Sequence, residues 1–291
     1  MPEEPLRPEA KEELESPEKK EFKFIRWDDS GIVAHLTLNR PKQNVMNIQM
    51  LEEMARALEG LSGRNDVRLV LLDSAPECDG YFSMGVGAEA YSSQMVFQMM
   101  DAFHGVFRTM VEISKPVLAV VDGVALGAGC ELAAFCDLVI ATERAQFCQP
   151  EIKLGVFPPL GAVVYPRVIG PKRAMELLLT GETLNPQQAL DMGLINRVVS
   201  RAALAQTIEA LVKRISEQSA PVLSLLKHVV FEGTWLPFDQ ALKKSQDIYL
   251  NQLFELEYSQ EGLRAQEAGL TVIEDRCILK EHATRFVTEG I

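Results

Sequence analysis

The chain has 291 residues, enough for one large domain or two smaller ones, and its 47% hydrophobic and 24% charged residues are ordinary for a globular protein. A formal charge of -12 and a pI near 4.9 exclude a general nucleic-acid or anionic-membrane surface, while leaving room for a local basic patch. Cys78, Cys130, Cys136, Cys148 and Cys277 show neither CxxC nor disulfide-like spacing, so free thiols in a reducing compartment, the cytoplasm, are expected, and no metal is.

Residues 1–21 are rich in Glu, Lys and Pro and nearly lack large apolar side chains, which predicts a disordered acidic tail. This start is charged where a secretory leader would be apolar. Over 22–27 and 32–39 apolar residues alternate around a turn at 28–31, the pattern of a β-hairpin. A loop carrying Arg40, Pro41 and Lys42 leads to a helix expected over 48–61 and ending near Gly63. A strand is predicted over 67–73 and a long amphipathic helix over 95–113. Further on, 171–179 reads as a helix with proline in its first turn, 185–192 as another, and 196–199 as a strand. Beyond that the pattern is helical, over 202–216, 221–231, 238–258 and a segment from Gln260. Strands alternating with helices and then helices alone predict an α/β fold, with a core over 22–200 and a helical C-terminal region over 201–291.

The most apolar stretch is 115–151, KPVLAVVDGVALGAGCELAAFCDLVIATERAQFCQPE. Its β-branched run at 117–121 suits a buried strand, and a second run at 138–141 returns to strand character. Asp122, Glu131 and Asp137 would each cost a few kcal/mol in a bilayer, so the stretch reads as a buried core and not as a membrane span. Gly123, Gly127 and Gly129 let the backbone turn sharply and present bare N–H groups at the start of a helix over 131–135. Glu131 and Glu151 stand at the ends of these elements. A buried carboxyl has a raised pKa and becomes an acid or base usable near neutral pH. On the pattern alone two readings stay open, an anion-stabilising acid/base site or a glycine-rich turn with two ion-paired glutamates. For Glu151 the ion-pair partner would be Lys153.

The segments ALGAGCEL and DLVIATERAQFCQPEIKLGV resemble the central motif of the enoyl-CoA hydratase/isomerase (crotonase) superfamily. LNRPKQNVMN at 38–47, YFSMGVGAE at 81–89 and LTGETLNPQQALDMGLINRVV at 179–199 extend the likeness, which runs from about Phe22 to about Ala265. The resemblance implies a spiral of ββα turns with a helical C-terminal region, assembled as a homotrimer or homohexamer. It implies an acyl-CoA substrate, with no cofactor apart from the CoA that is part of that substrate. Glu131 and Glu151 match the family's acid/base pair, with Glu131 activating water and Glu151 transferring a proton. The N–H groups of Val86 and Ala128 match its oxyanion hole. Lys42, Met84, Gly85, Gly127, Phe157 and Pro158 are the expected substrate and CoA contacts.

Relatives usually carry glycine where this chain has Ala128 and a small residue where it has Val86. The loop GVFPPLGAVVYPRVIG at 155–170 replaces a glycine-rich one, and Glu89 stands where some hydratases place a lysine. The usual C-terminal Phe-x-x-Lys-Arg pattern is lacking. With YFSMGVGAEAY, the 155–170 loop is similar to the cyclohexa-1,5-diene-1-carbonyl-CoA hydratases of aromatic compound degradation. The resemblance therefore implies hydration of a cyclic dienoyl-CoA. The alternatives are a general enoyl-CoA hydratase of fatty acid metabolism, an enoyl-CoA isomerase, and a non-catalytic binding relative.

Overall fold

The computed structural model describes residues 22–87 and 92–267. The expected tail over 1–21, Glu89, Cys277 and the C-terminal end of the expected helical region lie outside the described residues.

The chain opens with a hairpin. Strands β1 (Ile25–Asp28) and β2 (Val33–Leu38) pair antiparallel, with Ile25 opposite Leu38. Ala34, Leu36 and Leu38 turn inward, so the alternation in the sequence is one-sided burial. Helix α1 (Ile48–Glu59) follows, and the Asn47 side chain caps it by accepting from Met50 N at 3.0 Å.

Three similar turns come next. The first runs through β3 (Leu69–Ser74), a 3₁₀ turn (Pro76–Cys78), β4 (Gly80–Ser83) and α2 (Val96–Glu112). The second is β5 (Val117–Val121), β6 (Gly123–Leu126) and α3 (Ala128–Phe135). The third is β7 (Leu138–Thr142), β8 (Gln146–Cys148), a 3₁₀ turn (Glu151–Leu154), α4 (Pro159–Val168) and α5 (Pro171–Thr180). β9 (Thr183–Leu184), α6 (Pro186–Asp191), β10 (Arg197–Val199) and α7 (Leu204–Ser216) close the core.

In each turn the first strand enters one sheet and the second strand enters another. The larger sheet has the order β1-β2-β3-β5-β7-β10 and is parallel beyond its opening hairpin. The smaller sheet has the order β4-β6-β8-β9. This is the spiral of ββα turns that the resemblance implies.

Both faces of the larger sheet are covered, which is why its central strands are continuous apolar runs. Val70, Leu72, Ala119, Val121 and Val139 face the main core together with α1 and α2. Leu69, Leu71, Leu118, Val120 and Ile140 face the other way, against Ile208, Leu211 and Ile215 of α7. Then α8 (Ala220–Trp235), α9 (Phe238–Ile248), a π turn (Tyr249–Leu253) and α10 (Glu257–Glu267) follow, with Lys227 of α8 donating to Lys115 O and Asp137 Oδ2 at 2.8 Å.

The bends between the paired strands carry charge. Asp79 precedes β4, Asp122 lies between β5 and β6, and Arg144 lies between β7 and β8. Arg144 binds Asp122 through Nε at 2.7 Å and Nη2 at 2.8 Å, and reaches Asp79 through Nη1 at 3.0 Å. Thr142 adds a 2.7 Å bond to Asp122, and Arg201 adds a contact at 3.2 Å. One guanidinium therefore ties three successive turns.

Three expectations need correction. The glycines from Gly123 do not only turn the backbone before a helix over 131–135; Gly123–Leu126 is itself a strand of the second sheet, and the helix already begins at Ala128. The 155–170 segment is a helix for most of its length and not a loop, because Pro159 occupies the first helical position, where no N–H is needed. The single helix expected over 238–258 is interrupted at Tyr249–Leu253 by the π turn.

Candidate active site

The site is assembled where the second sheet's strands end. At the end of β4 the buried Ser83 hydroxyl donates to Asn44 O at 2.7 Å and accepts from Gly85 N at 3.1 Å. Asn44 Nδ2 donates to Phe82 O, Met84 N to Gln43 O, and Met46 N to Gly85 O. The 39–47 loop is thus laced onto the turn that presents Val86. Gly85 has φ +81°, and a Cβ there would stand 2.8 Å from Leu126 O and 3.1 Å from Ala128 N. The turn lies directly on the start of α3, and only glycine permits that approach.

Helix α3 begins after Gly127, whose φ of 54° and ψ of -125° suit glycine alone. Gly127 N donates to Cys148 O, which fixes the helix start to β8. The N–H of Ala128, in the first turn, has no acceptor within the helix. Val86 and Ala128 line one cavity of about 430 Å³, together with Glu131, Glu151, Phe157 and Pro158.

Glu131 sits in the first turn of α3 and is 4% exposed. Its Oε1 accepts from Gly161 N of α4 at 2.6 Å. Burial pushes its carboxyl up to about 8, against the Gly161 bond and helped by the Glu151 charge. Glu151 opens a 3₁₀ turn and is 5% exposed. A Cβ on Gly127 would lie 2.6 Å from Glu151 Oε1, so that oxygen rests on the bare backbone. Glu151 Oε2 has no hydrogen-bond partner among the described residues. Burial also raises the Glu151 carboxyl, against its own N–H and the Gln149 amide. Gln149 in turn accepts from the Tyr165 hydroxyl of α4 at 2.6 Å.

These shifts have a measurable consequence. An exposed carboxyl titrates near 4.5, so one raised to about 8 favours folding below 4.5, and this contribution is lost as pH rises through 8. Between about pH 5 and pH 9 the wild type is expected to lose roughly 2–5 kcal/mol relative to Glu131→Gln. Thermal melts of the two proteins across that range check it, and parallel Tm curves would mean that Glu131 titrates normally.

Other expected contacts lie elsewhere. Lys42 lines a separate cavity with Arg40, Gln43 and Tyr81. Met84, Gly85 and Gly127 shape the backbone under the site without lining the glutamate cavity. Lys153 is bonded through Nζ to Gly181 O at 2.6 Å, which leaves Glu151 without the ion pair weighed for it. Cys130 and Cys148 are buried, and burial pushes the Cys130 thiol up to about 12, so it is held as an inert thiol.

Several residues escaped the sequence reading. Val96, Met99, Met100, Phe103 and His104 of α2 line the cavity, and their i, i+3, i+4, i+7, i+8 spacing was the available signal. Asn44, Gly161 and Tyr165 support the site, but a backbone or supporting bond of this kind leaves no pattern in sequence.

Residues 28–274 match the family model described as "Enoyl-CoA hydratase/isomerase". The chain belongs to that family. It is 38% identical over 219 residues to "Probable enoyl-CoA hydratase echA8" of Mycobacterium leprae (strain TN), covering 73% of this chain and 84% of the relative. It is 33% identical over 240 residues to "Crotonyl-CoA hydratase" of Syntrophomonas wolfei, covering 80% and 90%. Among solved structures it resembles an enoyl-CoA hydratase of Mycobacterium smegmatis, with TM-score 0.79, 28% identity, and 86% and 98% of the two chains covered.

Proposed function

We propose that the chain hydrates a 2-enoyl thioester of coenzyme A, with Glu131 and Glu151 acting on one water. The observation that carries this reading is the pair of buried, upward-shifted carboxyls opening, beside Val86 and Ala128, onto one apolar cavity. The thioester oxygen sits between the Val86 and Ala128 N–H groups, where negative charge is stabilised as it builds. Glu131, as the carboxylate, takes a proton from water while the water oxygen bonds to C3. The C2=C3 electron pair shifts toward the carbonyl, and Glu151, as the acid, returns a proton to C2. The pair ends with its proton exchanged, so the titration belongs to both groups jointly.

A plain enoyl chain is favoured over the ring. The relatives described above are named as enoyl- and crotonyl-CoA hydratases. The bulky segment that motivated the ring is split by α4, which leaves Val163 exposed and Val164 buried away from the glutamate cavity. Loss of the enoyl thioester absorbance, followed with crotonyl-CoA and with cyclohexa-1,5-diene-1-carbonyl-CoA, tests the choice. Higher kcat/KM on crotonyl-CoA is expected, and the reverse order would reinstate the ring. Double-bond migration without water uptake would point to the isomerase.

A homotrimer or homohexamer belongs to the same proposal. Leu226, Val230, Phe238, Leu250 and Tyr258 on the outer helices are exposed apolar side chains suited to a subunit interface. A chain shortened to begin at Lys20 is expected to keep both assembly and activity. Sedimentation as a monomer at micromolar concentration would overturn the assembly.

A further inference from the structure

The cavity that holds the glutamates is apolar except at one further point. Along α2 the cavity wall is built from Val96, Met99, Met100, Phe103 and His104, which fall on one helical face. At 1.5 Å per residue, this face carries the wall about 12 Å along the helix axis, and His104 stands at its C-terminal end. An imidazole at the end of an otherwise apolar stripe is out of pattern.

His104 is half-buried, with its ring 6.1 Å from that of Phe103. Among the described residues it makes no hydrogen bond or ion pair. Burial, and then the Arg108 charge, lower its pKa, while Asp101 opposes them, so the ring is neutral at neutral pH. A neutral imidazole offers one donor and one acceptor, which suits a hydroxyl group better than a carboxylate.

His104 and Pro159 also form the boundary with a second cavity of about 500 Å³, lined by Phe107, Val111, Leu160 and Phe231 among others. His104 therefore stands in a wall that the glutamate cavity shares with this second one.

We propose that His104 is a specificity-determining residue whose imidazole hydrogen-bonds a hydroxyl carried on the acyl chain beyond the reacting double bond. The preferred substrates are then hydroxylated enoyl thioesters of more than four carbons. This rests on the hydratase reading above, and it adds the acyl class to it.

The test compares kcat/KM for 2-hexenoyl-CoA with its 4-, 5- and 6-hydroxy derivatives, in the wild type, His104→Leu and His104→Gln. The wild type is expected to favour one hydroxylated chain about tenfold, the scale of one well-placed hydrogen bond. His104→Leu is expected to bring that ratio to about one or below, and His104→Gln, which keeps a donor and an acceptor, to restore part of it. The proposal is overturned if no hydroxylated chain is preferred by the wild type. It is also overturned if His104→Leu lowers all the substrates alike, which is what a purely structural histidine would do. A wild type that hydrates the hexenoyl chains equally well still leaves the hydratase reading standing. Failure to hydrate crotonyl-CoA at all would remove that reading, and this one with it.

Discussion

Glu131→Gln and Glu151→Gln are each expected to lower kcat for enoyl-CoA hydration about 10²- to 10⁴-fold, the range a positioned acid or base contributes. The amide keeps the shape of the side chain but can neither take the water's proton nor return one to C2. In Glu131→Gln the amide oxygen can still accept from Gly161 N, the bond Glu131 makes at 2.6 Å, so the fold should hold. KM should change much less than kcat, because in the proposed reading the thioester is held by the Val86 and Ala128 N–H groups and the apolar cavity, which the substitution leaves in place. If the pair acts as a unit, as proposed, the double substitution should be little worse than either single one. Steady-state kinetics with crotonyl-CoA decide it. A Glu151→Gln protein with near-normal turnover would remove Glu151 from the mechanism.

Gly127→Ala should be nearly as damaging, although it replaces neither acid nor base. The new methyl would lie 2.6 Å from Glu151 Oε1, on a backbone with φ +54°. The carboxylate must move, and a displacement near 1 Å costs on the order of 10²-fold in rate. Strain in that region of backbone space adds roughly 1–3 kcal/mol to the cost in stability. Gly170→Ala is the control. It carries the same kind of strain at φ +81° with nothing within 4 Å, outside the cavity. It should lower Tm while leaving kcat unchanged. Equal loss of turnover in both variants would mean that strain alone, and not the displaced carboxylate, explains the Gly127 effect.

How much of this was readable follows from what each element buries. The run at Val117–Val121 was legible because a strand covered on both faces has no polar residue in it. Helix α1 was legible through its apolar spacing, and Asn47, its cap, stood at the end of the expected loop. The second sheet was not. β4, β6 and β8 are only four, four and three residues long, too short for periodicity to declare itself. Helix α4 was hidden by its own composition, because Pro159, Gly161 and Pro166 read as loop residues. Yet Gly161 is the residue whose N–H meets Glu131, and a Cβ on it would crowd the Tyr165 ring at 2.8 Å. The glutamates themselves were legible as carboxyls in an apolar stretch. Their mutual placement was not, since it depends on Gly127 leaving room for an oxygen and on α4 folding back over α3.

The charged clasp at Asp79, Asp122 and Arg144 separates what can vary in this architecture from what cannot. It holds the strand-to-strand corners, whereas α2, α3 and α4, which wall the cavity, leave from the far ends of the second-layer strands. Lengthening a corner by one residue would shift the Arg144 fork off its two partners and misregister every later coil of the spiral. Exchanging residues along the α2 stripe or at the start of α4 leaves the clasp untouched. New acyl preferences can therefore be grafted at one rim of the molecule while the pitch is kept at the other.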